Sequence, residues 1–450
     1  MTKNQNAIYD ARTLGTGKML TLGLQHMFAM FGATVLVPVI TGLSMSATLL
    51  FAGLGTLLFH ILTKMKVPAF LGSSFAFLGG YAAVVSMGEA QGLNAAQSLP
   101  YACIGVFSAG ILYFVLAAFI SAYGVKKVMR FFPPIVTGPI IIAIGLTLSG
   151  SAIQNCNSNW WIALLAIAII VVCNIWGRGM IKIIPILLGV LGSYAVAACF
   201  GLCDFSAVKE AAWIGVPFHW ENTAFHVFAN PNWGLVLSAI IAIVPISLAT
   251  MMEHIGDMCA ISSTTGENYL ADPGLHRTLM GDGLATMLAS LFGAPANTTY
   301  GENTGVLNLT KVYDPRVIRI AAVFAIVLSF CPKFSALIAC MPASTIGGVS
   351  LVLYGMISAV GVRNVVENVV DFTKSRNVLI LAFILVLAIG IKYGAGDSIS
   401  LGFTSLSGLA VAALVGIILN AILPGMDYEF GSNPQGDKAV DFEINPSLRK

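Results

Sequence analysis

Long apolar runs alternate with short polar connections along almost the whole chain. Twelve runs are clear, at 19–40, 46–62, 99–122, 135–151, 160–175, 183–201, 233–252, 275–292, 317–332, 337–357, 378–391 and 402–424. Each is long enough to cross about 30 Å of hydrocarbon as a straight or slightly short helix. Two further stretches, 67–86 and 294–309, are apolar but broken by small and polar residues, "LGSSFAFLGG" and "APANTTYGENTG". Counting both gives fourteen spans and predicts an all-α polytopic membrane protein.

Charge placement tests that count. With the N-terminus cytoplasmic, alternating connections put all but three of the 23 Lys and Arg on one side, and only Lys209, Lys333 and Lys392 on the other. A correct count should show this asymmetry, because basic loops stay on the cytoplasmic side. Dropping either broken stretch scrambles it. Both termini are therefore expected in the cytoplasm, and the protein in the cytoplasmic (inner) membrane.

Composition agrees: 57% of the 450 residues are hydrophobic and only 10% charged, more apolar than a soluble core of this size requires. The net charge of +3 follows from topology, and no separate basic cluster suggests nucleic acid. The polar lead Met1–Gly17 lacks a small-residue cleavage pattern near the first apolar run, so a removed signal peptide is not expected. The eight cysteines form no CxxC pair, and Cys103 and Cys173 lie inside apolar runs where a thiol packs as a small hydrophobe. No metal site or cofactor is expected.

The two broken stretches occupy the third place in each set of seven spans. An odd number of spans per repeat inverts the second copy relative to the first, and paired broken segments point to a transporter's central site. Irregular backbone at membrane depth survives only where protein or a water-filled cavity covers it. The stretches are expected to face each other near the midplane, as unwound helix or as brief strands followed by helices. Either form leaves backbone N–H groups and a helix N-terminus for a polar ligand.

Few ionisable residues fall inside the spans. Glu253 and His254 end the eighth, Asp257 follows Glu253 by four residues on the same helix face, and Glu302 sits in the tenth. Two carboxylates on one face repel unless one binds a proton or a donor stands between them, as a proton-coupled site requires. Asp257, near the cytoplasmic end of its predicted span, has an interfacial role as its alternative. His254 points away from Glu253 and reads as a bond across helices. His26 could titrate near neutral pH or tie the first span to a neighbour. Phe75, one of 26 phenylalanines, reads by composition as core filler.

Acidic groups and amides at midplane suit a small polar solute with both donors and acceptors. No GxxxxGK[ST] run is present, so an ion gradient is the expected energy source, with proton favoured over sodium. A channel would not need an inverted pair of broken spans around one compact site. A membrane enzyme is disfavoured because no nucleophile–base set lies together.

"LQHMFAMFGATVLVPVITG", "KVPAFLGSSFAF", "EHIGD", "GGVSLVLYG" and the long run from Asp272 to Pro315 resemble the nucleobase and ascorbate transporters, nucleobase:cation symporter family 2, in their bacterial uracil permease branch. The resemblance covers nearly the whole chain. It implies two inverted seven-segment repeats with short antiparallel strands in segments 3 and 10. It also implies a core domain at 1–122 and 233–332, a gate domain at 123–202 and 333–427, an extracytoplasmic loop at 203–232 and a cytoplasmic tail at 428–450. Glu253 would hydrogen-bond the pyrimidine ring, Glu302 would also meet the base, and backbone amides near Phe75 and Gly301 would reach its carbonyl oxygens. The Phe75 ring would pack on the base.

The family signature is complete as Asn303, Gly305, Thr310 and Lys311. Glu302 before Asn303 resembles uracil-type members, where purine-type members carry Gln. Asp257 departs from the branch, whose best-known type has histidine there, and this bears on proton coupling. The resemblance thus implies proton-coupled uracil uptake by alternating access, with xanthine or uric acid as the alternative substrate, Glu253, Asp257 and His26 as proton-coupling candidates, and a homodimer through the gate domain.

Overall fold

The computed structural model describes residues 7–396, 398–400, 405–425 and 428. Fourteen segments follow one another: α1 (Thr16–Thr41), α2 (Met45–Leu62), β1 (Leu71–Ser73) with α3 (Leu78–Glu89), α4 (Ala95–Tyr123), α5 (Pro134–Cys156), α6 (Trp160–Trp176) and α7 (Pro185–Cys199). The second set is α8 (Trp233–Thr265), α9 (Leu275–Leu291), β2 (Asn297–Thr299) with α10 (Gly301–Thr310), α11 (Pro315–Ser329), α12 (Ala343–Glu367), α13 (Ser375–Gly394), and finally β3 (Ser398–Ser400) and β4 (Ser405–Ser407) leading into α14 (Gly408–Ile422). Among the described residues, α1, α2, α4, α5, α8, α12 and α13 are each long and apolar enough to span a bilayer alone. The other segments are shorter or more polar. The helical ones satisfy their backbone groups internally, and the strand stretches need cover from the segments around them.

Packing divides the segments into two groups. In one, α9 lies between α2 and α4, α11 packs on α1 and α2, and α8 lies on α4. In the other, α12 packs along α5 and α6, α13 pairs with α14 and α5, and α6 pairs with α7. Glycines allow the closest approaches: a Cβ on Gly145 of α5 would meet the Tyr354 carbonyl of α12 at 2.2 Å, and one on Gly110 of α4 would meet Met287 of α9 at 2.3 Å. Contacts this short exclude any side chain and let the helix backbones touch.

The broken stretches meet as an antiparallel pair, with Leu71 opposite Thr299, Gly72 opposite Thr298 and Ser73 opposite Asn297. Two bonds extend the ladder, Tyr300 N–H to Phe70 O at 3.0 Å and Ser74 N–H to Ala296 O at 2.8 Å. Neighbouring side chains take up the outer backbone groups: Thr286 Oγ1 donates to Asn297 O at 2.8 Å, and Thr56 Oγ1 accepts from Leu71 N–H at 2.9 Å. A two-stranded ribbon with open edges cannot stand in hydrocarbon without such partners. A Cβ on Gly72 would lie 2.5 Å from the Tyr300 ring, so only glycine lets that ring cross β1 and donate its hydroxyl to Ser73 O.

Three sequence expectations shift. The eighth segment runs on to Thr265 rather than ending near 252, with a 3₁₀ turn at Val244–Ile246 where Pro245 removes a backbone donor. Glu253 and Asp257 therefore lie well inside a helix, and Asp257 is not at its end. The last segment is preceded by β3, outside the apolar run from 402, and β4 at Ser405–Ser407 within that run is strand rather than helix. The loop 203–232 carries a short helix (Ser206–Glu210) and 3₁₀ turns at Trp220–Asn222 and Ala224–Ala229. The expected cytoplasmic tail, apart from Tyr428, lies outside the described residues.

Candidate functional site

The strand pair sets the geometry. Each strand passes within a few residues into a helix that starts in mid-fold, β1 into α3 and β2 directly into α10. The N-termini of α3 and α10 thus present backbone N–H groups where no preceding turn of helix uses them. The positive dipole end of α10 favours a ligand rich in acceptor oxygens.

Glu302 sits in the first turn of α10, and Glu253, Gly256, Asp257 and Ala260 form one accessible line along α8. Gly301, Glu302, Gly305 and Asn308 form the facing line on α10, while Asn303, Thr304, Val306 and Leu307 are buried behind it. A Cβ on Gly256 or Gly305 would meet nothing within 4 Å, and one on Gly301 would meet only an Asp257 oxygen, at 3.6 Å. Between the helices there is consequently an open groove. Glu253, Asp257 and Glu302 lie within electrostatic range of one another across it.

The buried side of α8 carries a polar cluster. Thr299 Oγ1, at the end of β2, donates to Asp257 Oδ2 at 3.0 Å and lies 3.4 Å from His254 Nδ1. His254 Nδ1 is also 3.4 Å from Asp282 Oδ2 of α9, both side chains being fully buried. His254 makes the interhelical contacts its direction predicted. Asp282 escaped the sequence reading although it stands in the middle of the apolar run 275–292. The rule that singled out Glu302, an acid far from any loop, applies to it equally.

His26 does not face the groove. Its Nδ1 and its backbone carbonyl both accept from Asn303 Nδ2 at 3.1 Å, fastening α1 to α10 behind Glu302. Of the signature residues, Asn303 makes this tie and Gly305 opens the groove. Thr310 bonds back to Val306 O, and Lys311 closes α10 in a left-handed conformation with φ of 56°. Phe75, two residues past β1, is 8% exposed and edge-on to Tyr354 of α12 at 5.9 Å between centroids. It lines a narrow cleft between the two packing groups, together with Gly79, Thr147, Lys392 and Ser407. The structure thus gathers Glu253, Asp257, Gly301 and Glu302 around one groove and places Phe75 at the seam beside it.

Residues 17–396 match the family model for the xanthine and uracil permeases, described as a permease family. The chain belongs to nucleobase:cation symporter family 2. This permease is 42% identical over 434 residues to a uracil permease of Bacillus caldolyticus, covering 94% of this chain and 96% of that one. It is 40% identical over 419 residues to a uracil permease of Bacillus subtilis, covering 90% and 92%. Among solved structures, the transmembrane domain of a cyanobacterial bicarbonate transporter aligns with a TM-score of 0.60 at 16% identity, over 92% of the permease and 99% of that domain. At that identity the match speaks to the fold alone, and the fold is shared.

Proposed function

We propose that the protein takes up uracil across the cytoplasmic membrane by proton-coupled alternating access. The observation that carries this reading is the pairing of Glu253 and Glu302 across one groove, beside the N-terminus of α10. Uracil offers two ring N–H donors and two carbonyl acceptors in a plane. The carboxylates supply acceptors for the former and the N-terminus of α10 supplies donors for the latter. The names of the relatives in both Bacillus species support the same substrate. Xanthine or uric acid is the alternative within the family, and Glu302 in place of glutamine disfavours it.

Proton coupling follows from the cost of unpaired charge. Glu253, Asp257 and Glu302 share one partly enclosed space, and holding all three ionised there is costly without a counter-charge. A proton taken up with the base relieves that repulsion, so the doubly loaded form is favoured over either half-loaded one. Asp257 and Glu253 are our first candidates for the proton site. The fully buried pair of His254 and Asp282 extends the network to α9. His26, held by Asn303, takes a supporting place in this reading.

The segments packed around the strand pair form the core (1–122 and 233–332), and those around α5 and α12 form the gate (123–202 and 333–427). The basic connections place both termini in the cytoplasm. In that orientation the groove between α8 and α10 opens toward the cytoplasmic ends of these helices, and Phe75 and Lys392 line the extracytoplasmic side. The gate faces away from the core would join two copies in a homodimer within the bilayer.

The test is uptake of labelled uracil into proteoliposomes under an imposed inward proton gradient, and then under a sodium gradient. Proton-driven accumulation, blocked by unlabelled uracil and lost in Glu253→Gln, supports the proposal. Sodium dependence overturns the coupling ion, and competition by xanthine alone overturns the substrate.

A further inference from the structure

The residues preceding α1 cross the ends of both groove helices. Ile8 forms a parallel bridge with Val312, its N–H donating to Lys311 O at 2.8 Å and its carbonyl accepting from Tyr313 N–H at 2.8 Å. Tyr9 donates its hydroxyl to the carbonyl of Thr265, the last residue of α8, at 2.7 Å, and its ring stands edge-on to Tyr313 at 5.5 Å. Asp10 accepts from Arg316 Nη1 at 2.9 Å, and Ala11 N–H donates to Asp314 Oδ2 at 2.7 Å. Asp314 also caps α11 by accepting from Arg316 N–H at 2.9 Å. Ala11 is completely buried under these contacts.

The last carbonyls of a helix have no partner within it. Here Tyr9 supplies a donor at the end of α8 and Ile8 supplies one just past the end of α10. Those are the two helices whose carboxylates face each other, and a helix transmits a tilt at its end along its length. Glu253 lies twelve residues from Thr265 and Glu302 nine from Lys311, spans of about 18 and 14 Å at 1.5 Å per residue. Fifteen residues after the strap, α1 holds the far end of α10 through His26 and Asn303. One continuous stretch of chain thus fixes α10 at both ends and α8 at one.

We propose that residues 8–11 are a positioning strap for the nucleobase site, with Ile8 and Tyr9 setting the separation of Glu253 and Glu302 and Asp10 fastening the strap to α11, although none of them touches the substrate. The inference rests on the reading of those glutamates as the pair that grips the base. A segment that merely closed the cytoplasmic surface would need contacts to one neighbour. This one bonds to the ends of both groove helices.

The test uses the full-length protein in lipid nanodiscs, wild type beside Tyr9→Ala, Tyr9→Phe and the milder Asp10→Asn. Two readouts are taken: amide hydrogen exchange across Gly301–Val306 without ligand, and the Kd for uracil, with KM and Vmax from proteoliposomes. For Tyr9→Ala we expect faster exchange in the first turn of α10 and a Kd and KM raised by about five- to tenfold, the scale of one or two lost hydrogen bonds. Vmax per folded molecule should hold, and Tyr9→Phe, which keeps the ring, should recover part of the affinity. Unchanged exchange and Kd, or lowered membrane abundance with an unchanged Kd, overturns the strap. If Tyr9→Ala fails to fold, Tyr9→Phe and Asp10→Asn decide by the same readouts. Wild-type protein that does not bind uracil overturns the substrate reading alone, and the exchange comparison still decides the strap.

Discussion

Asn303 donates from one amide nitrogen to both Nδ1 and the backbone carbonyl of His26, each at 3.1 Å. Asn303 is 1% exposed and His26 wholly buried, so no water can replace the amide once it is gone. Asn303→Ala should therefore lower stability by about 1–3 kcal/mol, the cost of a buried group left unsatisfied. His26→Phe should lose less, since the carbonyl acceptor survives. Thermal unfolding of the two purified variants checks the order, and equal losses would show that the ring nitrogen carries the tie.

The groove carboxylates should separate binding from coupling. Glu302→Gln and Glu253→Gln each turn a charge-assisted hydrogen bond into a neutral one, a loss of about 1–1.5 kcal/mol or roughly five- to tenfold in uracil affinity. Isothermal titration at neutral pH measures it. Asp282→Asn, away from the groove, should leave that Kd within about threefold while proton-driven uptake falls by tenfold or more, the split expected of a buried acid that serves a proton path.

Gly305 has open space where a side chain would begin. Alanine there should fold and even gain about 0.5–1 kcal/mol of helix stability. Leucine should fold equally well and fill the groove, lowering uptake by tenfold or more through crowding worth about 1–3 kcal/mol. Membrane abundance measured beside uptake distinguishes a blocked groove from a damaged fold.

The pH response of the strap should be flat in the working range. The Arg12 side chain, followed by its backbone N–H, holds the Asp10 carboxyl down to about 2 from 3.8, with Arg316 adding to the effect. A lowered folded value means that this contribution is complete above the ordinary carboxylate range and is lost only as pH falls through about 2. Asp10→Asn should then leave the shape of the uptake profile unchanged between about pH 5 and 8, whereas Asp257→Asn should alter it. Initial rates across that range test the contrast.

Much of this arrangement was legible in the residues because a bilayer imposes strong rules. The break at "NTTYGENTG" marked the strand and half-helix that carry Glu302, since small and amide residues at membrane depth need a covered site. Glu253 and Asp257 stood out as acids on one helix face. The C-terminal end of α8 was less legible: Pro245 only tightens a turn, and the polar residues after it continue the helix to Thr265, bonded internally. The β3–β4 pair has serines and apolar residues that suit helix or strand, and only tertiary pairing decides between them. Tyr9 and Asp10 gave no signal, because their partners lie more than 250 residues away in the chain.

Among the described residues, Leu71–Ser73 find their only strand partner in Asn297–Thr299, from the other half of the chain. A molecule of seven segments would carry a single such strand, its pairing edge bare in hydrocarbon. It could bury that edge only against a second copy inserted upside down. An ancestor of half this length would therefore have had to enter the membrane in both orientations, and fusion of its two copies would have relieved it of that requirement.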